Sequence, residues 1–318
     1  MSTDETDEAG ATDAVTTHPA DVFAPVAEET RVEILRAFAD EQRRIGEAFA
    51  DADQASAEDL IPGFTFTELF ERVDVEDSGR FNYHLDKLTG QYVTKLDEET
   101  YAPTWAGVEV AGAVLAGGYG DHEIERTEID RSCPSCGSGL AVQYDDGYLI
   151  VSCTESDDPV LLAGVPAGVF EGRSLADAVD VAAAHQRRLQ EAVTDGYCPL
   201  CYGDVTASLA PSTTEGVVSD AAYQFRGVCD RCGNVFLGGL ASLLFRHPAV
   251  VGFYHDHGED PRDAYTDAFD PVGEGDEITT VVSESPPQVV VEFELDDETL
   301  AVTVDEDATV VDTERRPT

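Results

Sequence analysis

The sequence predicts an α+β fold in which a helix-rich unit is followed by cysteine-bearing β modules with intervening helices. Three observations carry this expectation. Residues 26–120 give helix, turn, helix, β-hairpin and helix signals in that order. Two CxxC pairs, Cys198-Pro-Leu-Cys201 and Cys229-Asp-Arg-Cys232, stand 27 residues apart, enough chain for a β-hairpin or a three-stranded ribbon. Residues 278–311 alternate apolar and polar side chains with the period of strands.

The elements follow from local chemistry. Residues 1–25 read as a disordered acidic arm. Val32, Ile34, Leu35 and Phe38 recur near helical spacing behind Glu28 and Glu29, and an acidic helical stretch continues from Gln42 to Phe49. Thr65-Phe66-Thr67-Glu68 is a capping box that starts a short helix. After a turn at 74–77, Ser78 begins a second helix running to Leu88, with Phe81, Leu85 and Leu88 on its apolar face and Gly90 closing it. Residues 92–96 and 100–103 pair as a hairpin around Asp97-Glu98-Glu99, and Thr104 caps a helix from Trp105 to Ala116. Residues 140–144 and 148–153 read as strands. Ser174 caps an amphipathic helix with Leu175, Val179, Ala182, Leu189 and Val193 on one side. Past the second CxxC pair come an apolar helix at 240–245, a segment from Pro248 to His255, and strands at 280–282, 288–295 and 300–304. The expected domains are 26–120, 121–195 and 196–318.

Helix, turn, helix, hairpin, helix is the winged helix-turn-helix order, in which the second helix enters a DNA major groove and the hairpin is the wing. On the expected recognition helix Ser78, Gly79, Arg80, Asn82, Tyr83, His84 and Lys87 fall off the apolar stripe. Arginine suits guanine edges and asparagine suits adenine, while serine, tyrosine and lysine suit phosphate oxygens. The chain has only two lysines, Lys87 on this helix and Lys95 in the wing.

The runs Phe64–Leu69, Asp77–Leu88 and Tyr101-Ala102-Pro103-Thr104-Trp105-Ala106-Gly107, with the opening Glu29–Leu35, resemble the ArsR-like winged-helix transcriptional regulators of haloarchaea. The resemblance covers residues 26–120, and the cysteine-rich remainder is similar to a C-terminal extension carried by some of those proteins. It implies double-stranded DNA as partner, a recognition helix starting at Ser78, and a homodimer. Founding members of that family sense metals through helix cysteines. The present winged-helix unit has no cysteine, so metal sensing does not carry over.

Each CxxC pair sets two thiolates on one tight turn, and two such turns supply the four sulfurs of a closed, tetrahedral structural zinc site. Cys198, Cys201, Cys229 and Cys232 are therefore expected to hold Zn2+, with Gly203 and Gly233 supplying the positive φ such turns need. A second, incomplete set comprises Cys133, Cys136 and Cys153. Ser156 stands where a fourth cysteine would close it, and Asp157 and His122 are alternative donors. The 121–195 segment thus reads as a degenerate zinc-ribbon-like module plus a helix. His255-Asp256-His257 would place its histidines on opposite sides of a strand and reads as structural.

With 65 acidic and 19 basic residues the formal charge is −46, a composition similar to that of salt-accumulating haloarchaea. Self-repulsion on this scale is tolerable where salt cuts the Debye length to about 3 Å. The 42% hydrophobic content supports real cores, against wholesale disorder. No apolar run reaches the roughly 18 residues of a membrane span, and the acidic N-terminus lacks a signal-peptide pattern, so a cytoplasmic protein is expected. Ser/His/Asp pairing, a phosphate-cradling loop and a dinucleotide fingerprint are all missing, so no enzymatic activity is expected. The function expected is DNA-binding transcriptional regulation. The alternative is a protein-interaction adaptor of the transcription machinery, favoured by the acidic wing tip.

Overall fold

The structure is a computed structural model that describes residues 19–50, 61–118, 120, 122–133, 136–157, 159–212, 222–259 and 279–318. Most of the expected acidic arm, and the connection over 51–60, lie outside the described residues. The chain is a mixed α/β protein with several antiparallel sheets, and it divides into two compact units, 1–119 and 120–318.

The first unit is built around α2 (Glu29–Ala50), α3 (Phe66–Phe70), α4 (Ser78–Leu88) and α5 (Trp105–Leu115), preceded by a short α1 (Pro19–Phe23). Three short strands, β1 (Phe64–Thr65), β2 (Val93–Lys95) and β3 (Thr100–Pro103), form one antiparallel sheet in the order β1-β3-β2. The capping box forms as expected: the Thr65 hydroxyl accepts from the Glu68 amide while the Glu68 carboxylate accepts from the Thr65 amide at 2.8 Å. Asp77, not foreseen as a cap, holds the start of α4 by accepting from the Arg80 amide at 2.7 Å. Ile34, Leu35 and Phe38 of α2 pack with Leu69, Phe81, Leu85, Leu88 and Val93 in one core.

One detail corrects the sequence reading of this unit and another extends it. Residues 19–25 are not a loose continuation of the arm. The Val22 carbonyl accepts from the Tyr92 hydroxyl and from Gln91 Nε2, and the Ala24 carbonyl accepts from Arg31. Gly107 is required by close approach: a Cβ there would stand 2.1 Å from the Tyr92 carbonyl oxygen, so α5 seats directly on the backbone that enters β2.

The second unit contains three antiparallel meanders. β4 (Ile124–Ser132), β5 (Gly139–Asp145), β6 (Tyr148–Cys153) and β7 (Pro159–Gly164) pair in sequential order. β8 (Val205–Pro211), β9 (Tyr223–Cys229) and β10 (Val235–Gly238) make the three-stranded ribbon. β11 (Thr279–Glu284), β12 (Pro287–Leu295), β13 (Glu298–Val304) and β14 (Val310–Pro317) make the last sheet. The helix α6 (Leu175–Thr194), capped by Ser174 as expected, serves two cores. Its first half gives Ala178, Val179 and Ala182 to the core of β5 and β6. Its last turn gives Val193 to a core containing Leu209 and Phe225 of the ribbon, α7 (Leu240–Leu244), α8 (Pro248–Asp256), β12 and β13. Gly227 permits that contact, since a Cβ there would meet Val193 at 2.7 Å.

Candidate metal centre and nucleic-acid interface

The metal-ligand geometry is set by backbone turns before any side chain is considered. The Cys198 amide donates to the Gly203 carbonyl (2.8 Å) and the Tyr202 amide donates to the Cys198 carbonyl (2.9 Å). The second pair repeats this: Cys229 to Asn234 and Gly233 to Cys229, both 2.9 Å. So does the first pair of the other cluster, with Cys133 to Ser138 at 2.6 Å and Gly137 to Cys133 at 2.8 Å. The residue four places after the leading cysteine is left-handed each time: Gly137 at φ 74°, Tyr202 at 56° and Gly233 at 72°. Gly203, expected to supply positive φ, does not; Tyr202 does. Gly203 is needed for room instead, because a Cβ there would lie 2.6 Å from Arg231 Cβ and 3.3 Å from Cys229 Sγ.

These turns bring the sulfurs of Cys198, Cys201, Cys229 and Cys232 within 4.8 Å of one another. Two of the separations are 3.8 Å (Cys198–Cys232) and 3.4 Å (Cys201–Cys229). Zinc–sulfur bonds of about 2.3 Å in a tetrahedron require sulfur–sulfur edges of about 3.8 Å, so the set fits such an ion. No disulfide forms among the described residues. The Cys229 thiol is held down to about 6, first by the amide of Cys232 and also by that of Arg231 and by neighbouring thiols. At Cys201 the Gly203 amide favours the thiolate, but burial and the thiols of Cys229, Cys232 and Cys198 outweigh it and push the group up to about 12. Four sulfurs this close cannot all ionise unless a cation shares their charge.

Cys133, Cys136 and Cys153 form a second set, their sulfurs also within 4.8 Å. Cys153 is lowered to about 6 by the Ser138 hydroxyl first, then by the amides of Ser156 and Glu155 and the Ser156 hydroxyl. Ser138 was missed in the sequence. Its position, five residues after Cys133, matches that of Gly203 after Cys198, and that equivalence was the available signal. Asp157 and His122, offered by the sequence as further donors, do not join this set. The Asp157 carboxylate is taken by Arg126 at 2.8 Å.

In the first unit α4 buries Phe81, His84, Leu85 and Leu88. His84 was expected on the open face and is instead only 6% exposed, with Nδ1 3.1 Å from the Glu28 carboxylate. It completes the i, i+3, i+4, i+7 stripe that starts at Phe81. Ser78, Gly79, Arg80, Asn82, Tyr83 and Lys87 are all exposed, as is Lys95 in β2. Asn82 donates to Asp86 at 3.0 Å, and Lys87 lies over the Tyr83 ring at 5.5 Å. Arg80 has no salt bridge among the described residues. The histidines at 255–257 end a helix rather than lying on a strand, and His257 Nδ1 contacts the Phe253 carbonyl at 2.8 Å.

Comparison with protein families gives two matches. Residues 130–310, more than half of the chain, match Domain of unknown function (DUF7351). The chain belongs to the DUF7351 family. That match takes in both cysteine sets and most of the second unit. Residues 19–114, within the first unit, match Domain of unknown function (DUF7347). Comparisons with curated proteins and with solved structures gave no match. No helix among the described residues is long and apolar enough to cross a membrane.

Proposed function

We propose that the chain is a DNA-binding transcriptional regulator, non-catalytic, with a winged helix-turn-helix in its first unit and a structural zinc ion at Cys198, Cys201, Cys229 and Cys232. One observation carries the reading. The buried stripe of α4 turns Ser78, Arg80, Asn82, Tyr83 and Lys87 together to solvent, on a helix followed by the β2–β3 hairpin that carries Lys95. The element order and the β1-β3-β2 sheet agree with the winged-helix assignment. The exposed Trp105, Val108 and Leu115 share one side of α5 and support a homodimer as its form.

Charge sets the conditions for binding. Residues 1–120 hold 8 basic and 26 acidic side chains, so phosphate repels this unit at low salt. In multimolar salt the repulsion is screened and local hydrogen bonds decide. Selection of DNA sites from a random pool in multimolar KCl should return a motif. Against it, Arg80→Ala or Asn82→Ala should lose about 1–3 kcal/mol of discrimination. Affinity should lack the steep fall with added salt that counterion release produces. Parental binding by both variants, or steep weakening between low and multimolar KCl, would count against the proposal.

A second reading, an adaptor that docks on the transcription machinery, has one specific support. The exposed turn Asp97-Glu98-Glu99 and the Asp86 carboxylate bonded to Asn82 put negative charge where DNA would sit. Genome-wide crosslinking separates the two: motif-bearing peaks mean direct reading, whereas peaks that track polymerase mean an adaptor.

A further inference from the structure

The three sulfurs of the β4–β7 module sit in a frame built for four. Cys136 and Cys153 Sγ are 3.6 Å apart, close to the tetrahedral edge. The turn after Cys153 repeats the backbone of the three CxxC turns. The Asp157 amide donates to the Cys153 carbonyl at 3.2 Å, and Asp157 is left-handed at φ 62°. Within that turn Ser156 holds the place that Cys136, Cys201 and Cys232 hold in theirs. The Glu155 amide points at Cys153 Sγ at 3.4 Å, much as the Cys232 amide points at Cys229 Sγ at 3.5 Å. A non-glycine residue keeps a left-handed conformation only where its surroundings impose it.

Among the described residues no fourth anionic donor stands at this corner. Asp157 is engaged by Arg126, and the described histidines stand outside the cluster. Ser138 Oγ lies 2.9 Å from Cys136 Sγ and 3.0 Å from Cys153 Sγ, and the Ser156 hydroxyl also bonds Cys153. Neutral hydroxyls donate to thiolates and stabilise them, but they are poor zinc ligands. Cys136 and Ser156 are both exposed, so the incomplete corner faces solvent.

We propose that Cys133, Cys136 and Cys153 bind a second zinc-type ion whose fourth position, at the Ser156 corner, takes an exchangeable ligand from solution. That ligand is water, replaced by a small thiol that loses its proton to solvent as the water leaves. The proposal rests on reading the CxxC turns as metal sites.

The test uses the full chain. Purified protein should carry about two zinc ions, falling to about one in either Cys136→Ser or Cys232→Ser, each of which alters an exposed ligand. A chromogenic chelator should capture one ion quickly and the other slowly, and Ser156→Cys should abolish the fast phase. In cobalt-loaded protein, 2-mercaptoethanol should change the visible spectrum of the parent and leave that of Ser156→Cys unaltered. A single ion that is lost in Cys232→Ser and kept in Cys136→Ser would overturn the second site while leaving the first intact. No bound ion would remove both. Two ions with a thiol-insensitive spectrum, like that of Ser156→Cys, would overturn the open position.

Discussion

The two cysteine modules of the second unit share one turn and differ in what lies beneath it. Among its described residues the β8–β10 ribbon, which has all four thiols, buries Leu209, Ala210 and Phe225 as apolar side chains outside the cysteines. The β4–β7 module lacks one thiol. It nevertheless buries Leu140, Val142, Tyr144, Leu149, Val151 and Ala163 against the first half of α6. A small ribbon that cannot bury enough apolar surface relies on its metal for folding, and structural zinc supplies apparent energies of roughly 10–16 kcal/mol in small peptides. A module with a core of its own can lose a ligand and still fold. For the proposed ions, the difference predicts that metal is a structural requirement in the ribbon and an addition to a self-supporting core in the β4–β7 module.

The largest expected effect tests this directly. Cys229→Ser, or prolonged chelation, should abolish cooperative unfolding of the ribbon, read by circular dichroism in the strand region. Cys153→Ser should leave most of the β4–β7 signal intact and lower its melting temperature only modestly. Equal collapse in the two variants would refute the contrast. The first unit supplies an internal control: Trp105 is the only tryptophan of the chain, so its fluorescence transition should keep its midpoint when metal is withdrawn.

A smaller effect sharpens the contrast at one backbone position. Gly203 and Ser138 are equivalent in their turns, but a Cβ at Gly203 would be crowded by Arg231 and Cys229. Gly203→Ala should destabilise the ribbon by about 1–3 kcal/mol, an overpacking cost. Ser138→Gly removes two hydroxyl–sulfur contacts without a clash and should shift stability less. The check is a pair of urea titrations compared at constant slope.

Which features could be read in advance follows from their physics. Capping boxes and CxxC turns are local, and residues a few positions apart decide them. The apolar faces of α4 and α6 were readable because helical spacing repeats. β4 and β14 were not. Each is an edge strand whose residues are mostly exposed, and segments such as Glu-Arg-Thr-Glu-Ile-Asp-Arg carry no period-two apolar signal. His84 misled because a polar residue on the margin of an apolar stripe is buried only if a partner waits there, and Glu28 is 56 residues away in sequence. Tyr202 and Asp157 take left-handed conformations without the glycine that would announce them. The fourth CxxC-like turn at 153–157 was therefore invisible as a turn and visible only as a missing cysteine.

The smallest expected effect contrasts acid sensitivity with and without metal. In the first unit the Glu68 carboxyl is held below its ordinary value of 4.5, chiefly by the Thr65 amide and then by its hydroxyl. A depressed folded value means that the unfolded chain binds the proton more tightly. The contribution of Glu68 is therefore present above the ordinary value and is lost as pH falls through the folded one. Glu68→Gln should slightly lower the midpoint followed by Trp105 near neutrality, and the difference from the parent should shrink as pH falls below the ordinary value and vanish below the folded one. With the proposed ions bound, the cysteine modules should lose stability in the same direction, because protons compete with a metal ion for thiolates. Their loss, however, should shift with the concentration of free zinc, whereas the Glu68 difference should not. A Trp105 midpoint that tracks free zinc would tie the first unit to the metal sites and break the separation between them.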